Sequence, residues 1–146
     1  MKKKMILPLI LITIICSCSP NPKIYYFECN KQNPEVIHNF FDQAIQMQDY
    51  HITKFSEVDN YIIAEKLFLQ TNKKKGVERQ LIELHFNFVF NNDKNKSEIK
   101  LYYIVEMNGK RKVKKLPAEQ LKKYEKDVKV LQEKLLFYCN PEFKGR

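Results

Sequence analysis

Glycine, serine and long apolar runs are scarce in this chain of 146 residues, and each shortage removes a class of chemistry. Its 3 glycines, Gly76, Gly109 and Gly145, stand too far apart to cradle a phosphate. Past residue 17 the serines are Ser19, Ser56 and Ser97, none in a nucleophile setting, so no hydrolase triad is expected. No Cys-x-x-Cys or Cys-His spacing suggests a metal ligand set, and neither a metal nor another cofactor is expected. His38 and Asp42 would lie one helical turn apart, but two ligands do not make a site. Internal repeats and low-complexity tracts are absent. The apolar run from Met5 to Ile15 is about half of the roughly 20 residues that a transmembrane helix needs. These absences leave a non-enzymatic protein as the expectation.

What is present begins with an address. Lys2, Lys3 and Lys4 precede the apolar run, the charged-then-apolar order of an export signal. The next residues, Ile15-Cys16-Ser17-Cys18, resemble the lipobox of bacterial lipoproteins: a branched aliphatic, a small residue, then the cysteine that is acylated. Cys18 follows the small Ser17, whereas Cys16 would follow the β-branched Ile15, so Cys18 fits the pattern better. The resemblance implies a signal peptide over 1–17, palmitate-type acylation of Cys18, and a lipidated tether over 18–23. It also implies a lipid-anchored place in the cell envelope, at the outer membrane facing the periplasm. Several acyl chains would anchor the chain stably, each buried CH₂ contributing about 0.8 kcal/mol.

Cleavage after Ser17 removes three basic residues and no acid, leaving 23 basic against 17 acidic residues and a net charge of +6. An exported protein does not meet cellular nucleic acid, so the expected partners are the membrane, through the lipid, and an envelope protein. Residues 24–140 are expected to form one domain and 141–146 a tail, a length sufficient for a single core. Cys29 and Cys139 flank that domain in an oxidising compartment, and a disulfide between them is the natural expectation. Two buried thiols are the alternative.

The periodicity gives an α+β domain. From Pro34 to Gln48, apolar Val36, Ile37, Phe40, Phe41, Ala44 and Ile45 recur at helical spacing. From Tyr50 the period becomes two: a hairpin turning at 56–60, a loop at 71–77, a strand over 80–90 and another over 99–107. Along the third of these, Ile82, Leu84, Phe86, Phe88 and Phe90 alternate with Glu83, His85 and Asn87, and Leu81 breaks the alternation. Glu83, His85 and Asn87 could line a ligand groove or bind a metal, but the ordinary wet face of an antiparallel sheet is the expected reading. Asn108-Gly109 signals a tight hairpin into a short last strand. Leu121, Tyr124, Val128, Leu131, Leu135 and Tyr138, spaced by three and four, form the seam of a final helix opened by Pro117. The expected architecture is an antiparallel sheet of four to five strands with an N-terminal and a C-terminal helix packed on one face.

A helix leading into Asp49-Tyr50-His51-Ile52, a hairpin with Asp59-Asn60-Tyr61-Ile62-Ile63-Ala64-Glu65, long strands and a C-terminal helix resemble the helix-grip domains of exported lipoproteins. The accessory lipoprotein of the outer-membrane β-barrel assembly machinery is one such protein. The resemblance implies Tyr50, Ile52, Ile62 and Ala64 in the core and an interaction or scaffolding role. Tyr61 departs from it, standing where such hairpins often carry glycine. A binder of an apolar or lipid ligand between sheet and helices, and an immunity-type lipoprotein that neutralises a toxin, are the other functions that fit. Lys110, Arg111, Lys112, Lys114 and Lys115 are a candidate patch for an anionic surface, continued by Lys122, Lys123 and Lys126. Lysines on a terminal strand also guard a sheet edge against pairing.

Overall fold

The computed structural model describes residues 20–29, 41–89 and 96–139. Among them lie β1 (Lys23–Phe27), β2 (His51–Ser56), β3 (Tyr61–Lys73), β4 (Gly76–Asn87), β5 (Ser97–Met107), β6 (Lys110–Lys114) and the helix α1 (Ala118–Cys139). The strands form one antiparallel sheet in the order β1-β5-β4-β3-β2, with β6 also on β5. β1 pairs residues 97–101 of β5 and β6 pairs residues 103–107, so the two short strands share one edge of β5 end to end. The sheet therefore has six strands rather than four to five, because Lys23–Phe27, ahead of the period-two pattern that starts at Tyr50, adds a strand on β5.

Alternation decides which side of the sheet the helix covers. Ile62, Ala64, Ile82, Leu84, Phe86, Ile99 and Leu101 point inward and meet Tyr124, Val128, Leu131 and Leu135 of α1 in one buried cluster. The three-four spacing of the α1 residues places them on a single stripe, as the seam required. Cys29 and Cys139 are bonded to each other, 110 residues apart in sequence, and tie the end of α1 to the end of β1. Gln132 Nε2 donates to the Tyr26 carbonyl (2.9 Å) and Tyr25 Oη to Glu125 (3.1 Å) along the same seam. An ion pair enters this layer: Lys66 reaches Asp127 (3.3 Å) and the Gln48 carbonyl (2.9 Å), and Tyr50 Oη donates to Asp127 (3.3 Å). Burial and the Asp127 charge push the Tyr50 phenol well above its ordinary range.

Three expectations change. Residues 34–40 of the N-terminal helix lie outside the described residues, and the described part is no regular α-helix: Phe41–Ile45 is wound as a π-helix and Gln46–Gln48 as a 3₁₀ turn. Asp49, left-handed at φ 60°, ends it, and the Tyr50 N–H returns to the Ile45 carbonyl (3.1 Å). Ile45 and Tyr50 are both buried; a continuous α-helix would turn residue 50 about 140° away from residue 45. The loop expected at 71–77 is strand on both sides of a two-residue turn, since Lys73 pairs with Gly76. Gly76 has φ 129°, and a Cβ there would stand 2.1 Å from Asn108 Oδ1, so polar residues here mark a tight turn and not a long loop. Ile52, expected in the core with Tyr50, Ile62 and Ala64, is 39% exposed, because it lies on edge strand β2 beside a bulge.

Candidate functional site

The basic run divides between the two sides of the sheet. Residues opposite each other in a ladder point the same way. Lys110, Lys112 and Lys114 face Met107, Val105 and Tyr103 and point to the helix side; Arg111 and Val113 face Glu106 and Ile104 and point to the outer side. The type of turn sets this register: Asn108 and Gly109 both have positive φ (51° and 75°), the two-residue hairpin geometry that those residues favour. Asn108 Nδ2 also donates to the Lys75 carbonyl (2.9 Å), holding the two hairpin turns side by side.

Arg111 does not belong with the lysines. Its Nη2 donates to Glu65 Oε1 (2.5 Å) on β3 and Glu83 Oε2 (2.9 Å) on β4, and Nε lies 3.8 Å from Glu106 on β5. To reach from β6 to β3 the side chain crosses Ile104 and Leu81, which are paired on this outer side and only 5% and 2% exposed. Neither belongs to the cluster beneath α1, so the arginine stem and its carboxylates are their cover. His85 Nε2 contacts Glu83 Oε1, and the His85 ring lies 4.6 Å from that of Tyr102. Burial opposes ionisation of Glu83, but hydrogen bonding with His85 and the charges of His85 and Arg111 outweigh it, holding its carboxyl below the ordinary range. Of the expected trio, Glu83 and His85 join this network and Asn87 is exposed at the strand's end. Sequence reading does not bring Glu65 and Arg111 together; the available signal is parity, since Arg111 is the one basic residue of β6 in phase with Val113.

On the helix side, beyond α1, Lys73 pairs with Glu78 (2.5 Å), Gln80 Nε2 donates to Glu78 (3.1 Å) and Tyr103 Oη to Gln80 (2.8 Å). Donation from Lys73 and Gln80 holds the Glu78 carboxyl below its ordinary range. Lys114 and Lys115 instead line a groove of about 200 Å³ with Pro20, Pro22 and Lys23, floored by Tyr103, Leu116 and Leu121. This groove sits where β5's edge passes from β1 to β6.

Cys18, Ser19 and His38 lie outside the described residues, and Asp42 is exposed. Ser56 accepts from the Asp59 N–H (3.2 Å) in the β2–β3 turn, and Ser97 is buried with its hydroxyl bonded to the Val89 N–H (2.9 Å). Both serines are thus accounted for by turns and strand ends. Among the described residues no three His, Cys, Asp or Glu side chains are placed to hold a metal ion, and no helix is long and apolar enough to cross a membrane.

No family model and no curated protein matches the chain. Among solved structures, a DUF4468 family protein from Bacteroides ovatus aligns over 85% of each chain at 10% identity and a TM-score of 0.37.

Proposed function

We propose that this protein is a lipid-anchored envelope lipoprotein, acylated at Cys18, whose domain is a non-enzymatic interaction module. The supporting observation is where the molecule spends its exposed surface. Between sheet and helix the side chains close on one another, with Ala64, Leu84, Phe86, Val128 and Leu131 fully buried, which favours an interaction surface over an internal ligand pocket. The outer side of the sheet carries the exposed Leu67 (46%), paired with Leu81 beside the Arg111 network, and the exposed Tyr26 (58%) toward the other end of β5. An exposed tyrosine and an ordered arginine on one side of a sheet belong to the residue types enriched in protein contact surfaces.

Photo-crosslinking in intact cells tests this. A crosslinker at Tyr26 or Leu67 is expected to capture a defined envelope protein that one at Lys122, on the exposed side of α1, does not. Equal, unspecific capture from all three positions would contradict the reading. Metabolic fatty-acid labelling tests the anchor: Cys18→Ala is expected to abolish labelling and processing, and Cys16→Ala to leave both unchanged.

A further inference from the structure

We infer that the end of the domain bearing Lys23, Lys114 and Lys115 rests directly on an anionic phospholipid surface, an inference that builds on the acylated Cys18 proposed above. Geometry carries it. Cys18 is two residues before Pro20, and two extended residues span about 7 Å. Acyl chains on Cys18 therefore bring Pro20 within about that distance of the headgroups. Pro20, Pro22 and Lys23 line the same groove as Lys114 and Lys115, so these lysines flank the point where the chain leaves that surface, and a Debye length of about 8 Å at physiological salt sets the gap over which their charges act on it. So short a tether leaves no room for a partner domain between this end and the bilayer.

The charges at this end are suited to the role. Among the described residues no carboxylate lies within ion-pair distance of Lys114 or Lys115, whereas Arg111, three residues away, is held by Glu65 and Glu83 on the opposite side of the sheet. Lys23 shares Glu125 at 3.7 Å and remains half-exposed. Leu116, Leu121 and Tyr103 give the groove an apolar floor beneath the lysine rim, the order of an interfacial contact. Docked this way, the basic edge strand β6 faces lipid, while β2, on the opposite edge of the sheet, is held away from it.

The test uses the acylated protein on vesicles of zwitterionic phospholipid alone or mixed with anionic phospholipid, with a water-soluble amine reagent and mass spectrometry of each lysine. At low salt, Lys114 and Lys115 are expected to react several-fold more slowly on the anionic vesicles, the difference vanishing at high salt, while Lys54 on β2 reacts equally on both. In Lys114→Gln/Lys115→Gln protein the protection of Lys23 should be lost. Equal rates on the two vesicles, or protection of Lys23 that survives the double substitution, would overturn the inference and leave the anchor standing. Absence of fatty acid from Cys18 would remove the reading beneath it.

Discussion

The two sides of this sheet solve the same problem with different materials. Beneath α1, the inner side buries a continuous apolar layer, and a helix excludes the water. On the outer side Leu81 and Ile104 are buried as deeply, yet no helix among the described residues lies over them; Arg111 and three carboxylates do the covering. The difference is one of tolerance. A helix-covered layer loses packing and leaves a cavity when a side chain is cut back, whereas a charged cover can fold into the space. The charged cover is the weaker of the two, and it depends on pH.

The largest effect should strike both sides together. Reducing the Cys29–Cys139 bond releases a loop of 110 residues, for which chain entropy sets about 4 to 5 kcal/mol as an upper range. Denaturant unfolding with and without reductant should show a lower midpoint, and protein prepared without reductant should titrate no free thiol when denatured. An unchanged midpoint would mean that the bond adds nothing to stability.

Cutting back one aromatic or aliphatic residue on each side sharpens the comparison. Phe86→Ala, fully buried beneath α1, should cost about 3 to 5 kcal/mol. Leu81→Ala should fall near the low end for its type, about 2 kcal/mol, since the Arg111 stem can settle into the gap. Equal losses in denaturant unfolding would mean that the outer cover is as rigid as the helix.

Acid should then separate the two sides. Glu83 has its carboxyl held below the ordinary range, so its contribution is fully present above the unfolded value of about 4.3 and is lost as pH falls through the lower folded value. The stability gap between the parent protein and Arg111→Gln should therefore be constant near neutrality and shrink below about pH 4. The gap between the parent and Phe86→Ala involves no titrating partner in this network and should shrink less over the same range.

Much of the inner side is legible in the sequence. The period-two runs located β4 and β5, Asn108-Gly109 located the last hairpin, and the seam from Leu121 to Tyr138 located α1. The outer side was not readable in that way, because periodicity reports which residues share a face and says nothing of what lies laterally across it. Leu81 looked like a break in a pattern, yet it is the partner of Ile104. Arg111 looked like one member of a basic run, and only the register of β6 against β5 separates it from its neighbours. Lys74 and Lys75 suggested a loop by polarity, although a positive-φ glycine was sufficient to close a two-residue turn. The winding over 41–48 was hidden for a related reason: tertiary packing of Ile45 and Tyr50 overrides the helical spacing of the residues between them.

The division of the basic run is the point on which the comparison rests, and a double-mutant cycle between Arg111 and Glu65 tests it most directly. Arg111→Gln and Glu65→Gln, alone and together, are measured by denaturant unfolding at neutral pH, with Lys112→Gln as reference. Glu65 is 8% exposed and Arg111 half-exposed, so solvent screening lowers the value of a buried pair, and a coupling of about 1 to 2 kcal/mol is expected. Lys112→Gln should change stability by less than about 0.5 kcal/mol. No coupling between Arg111 and Glu65, with Lys112→Gln as costly as Arg111→Gln, would return Arg111 to the surface patch and contradict the account.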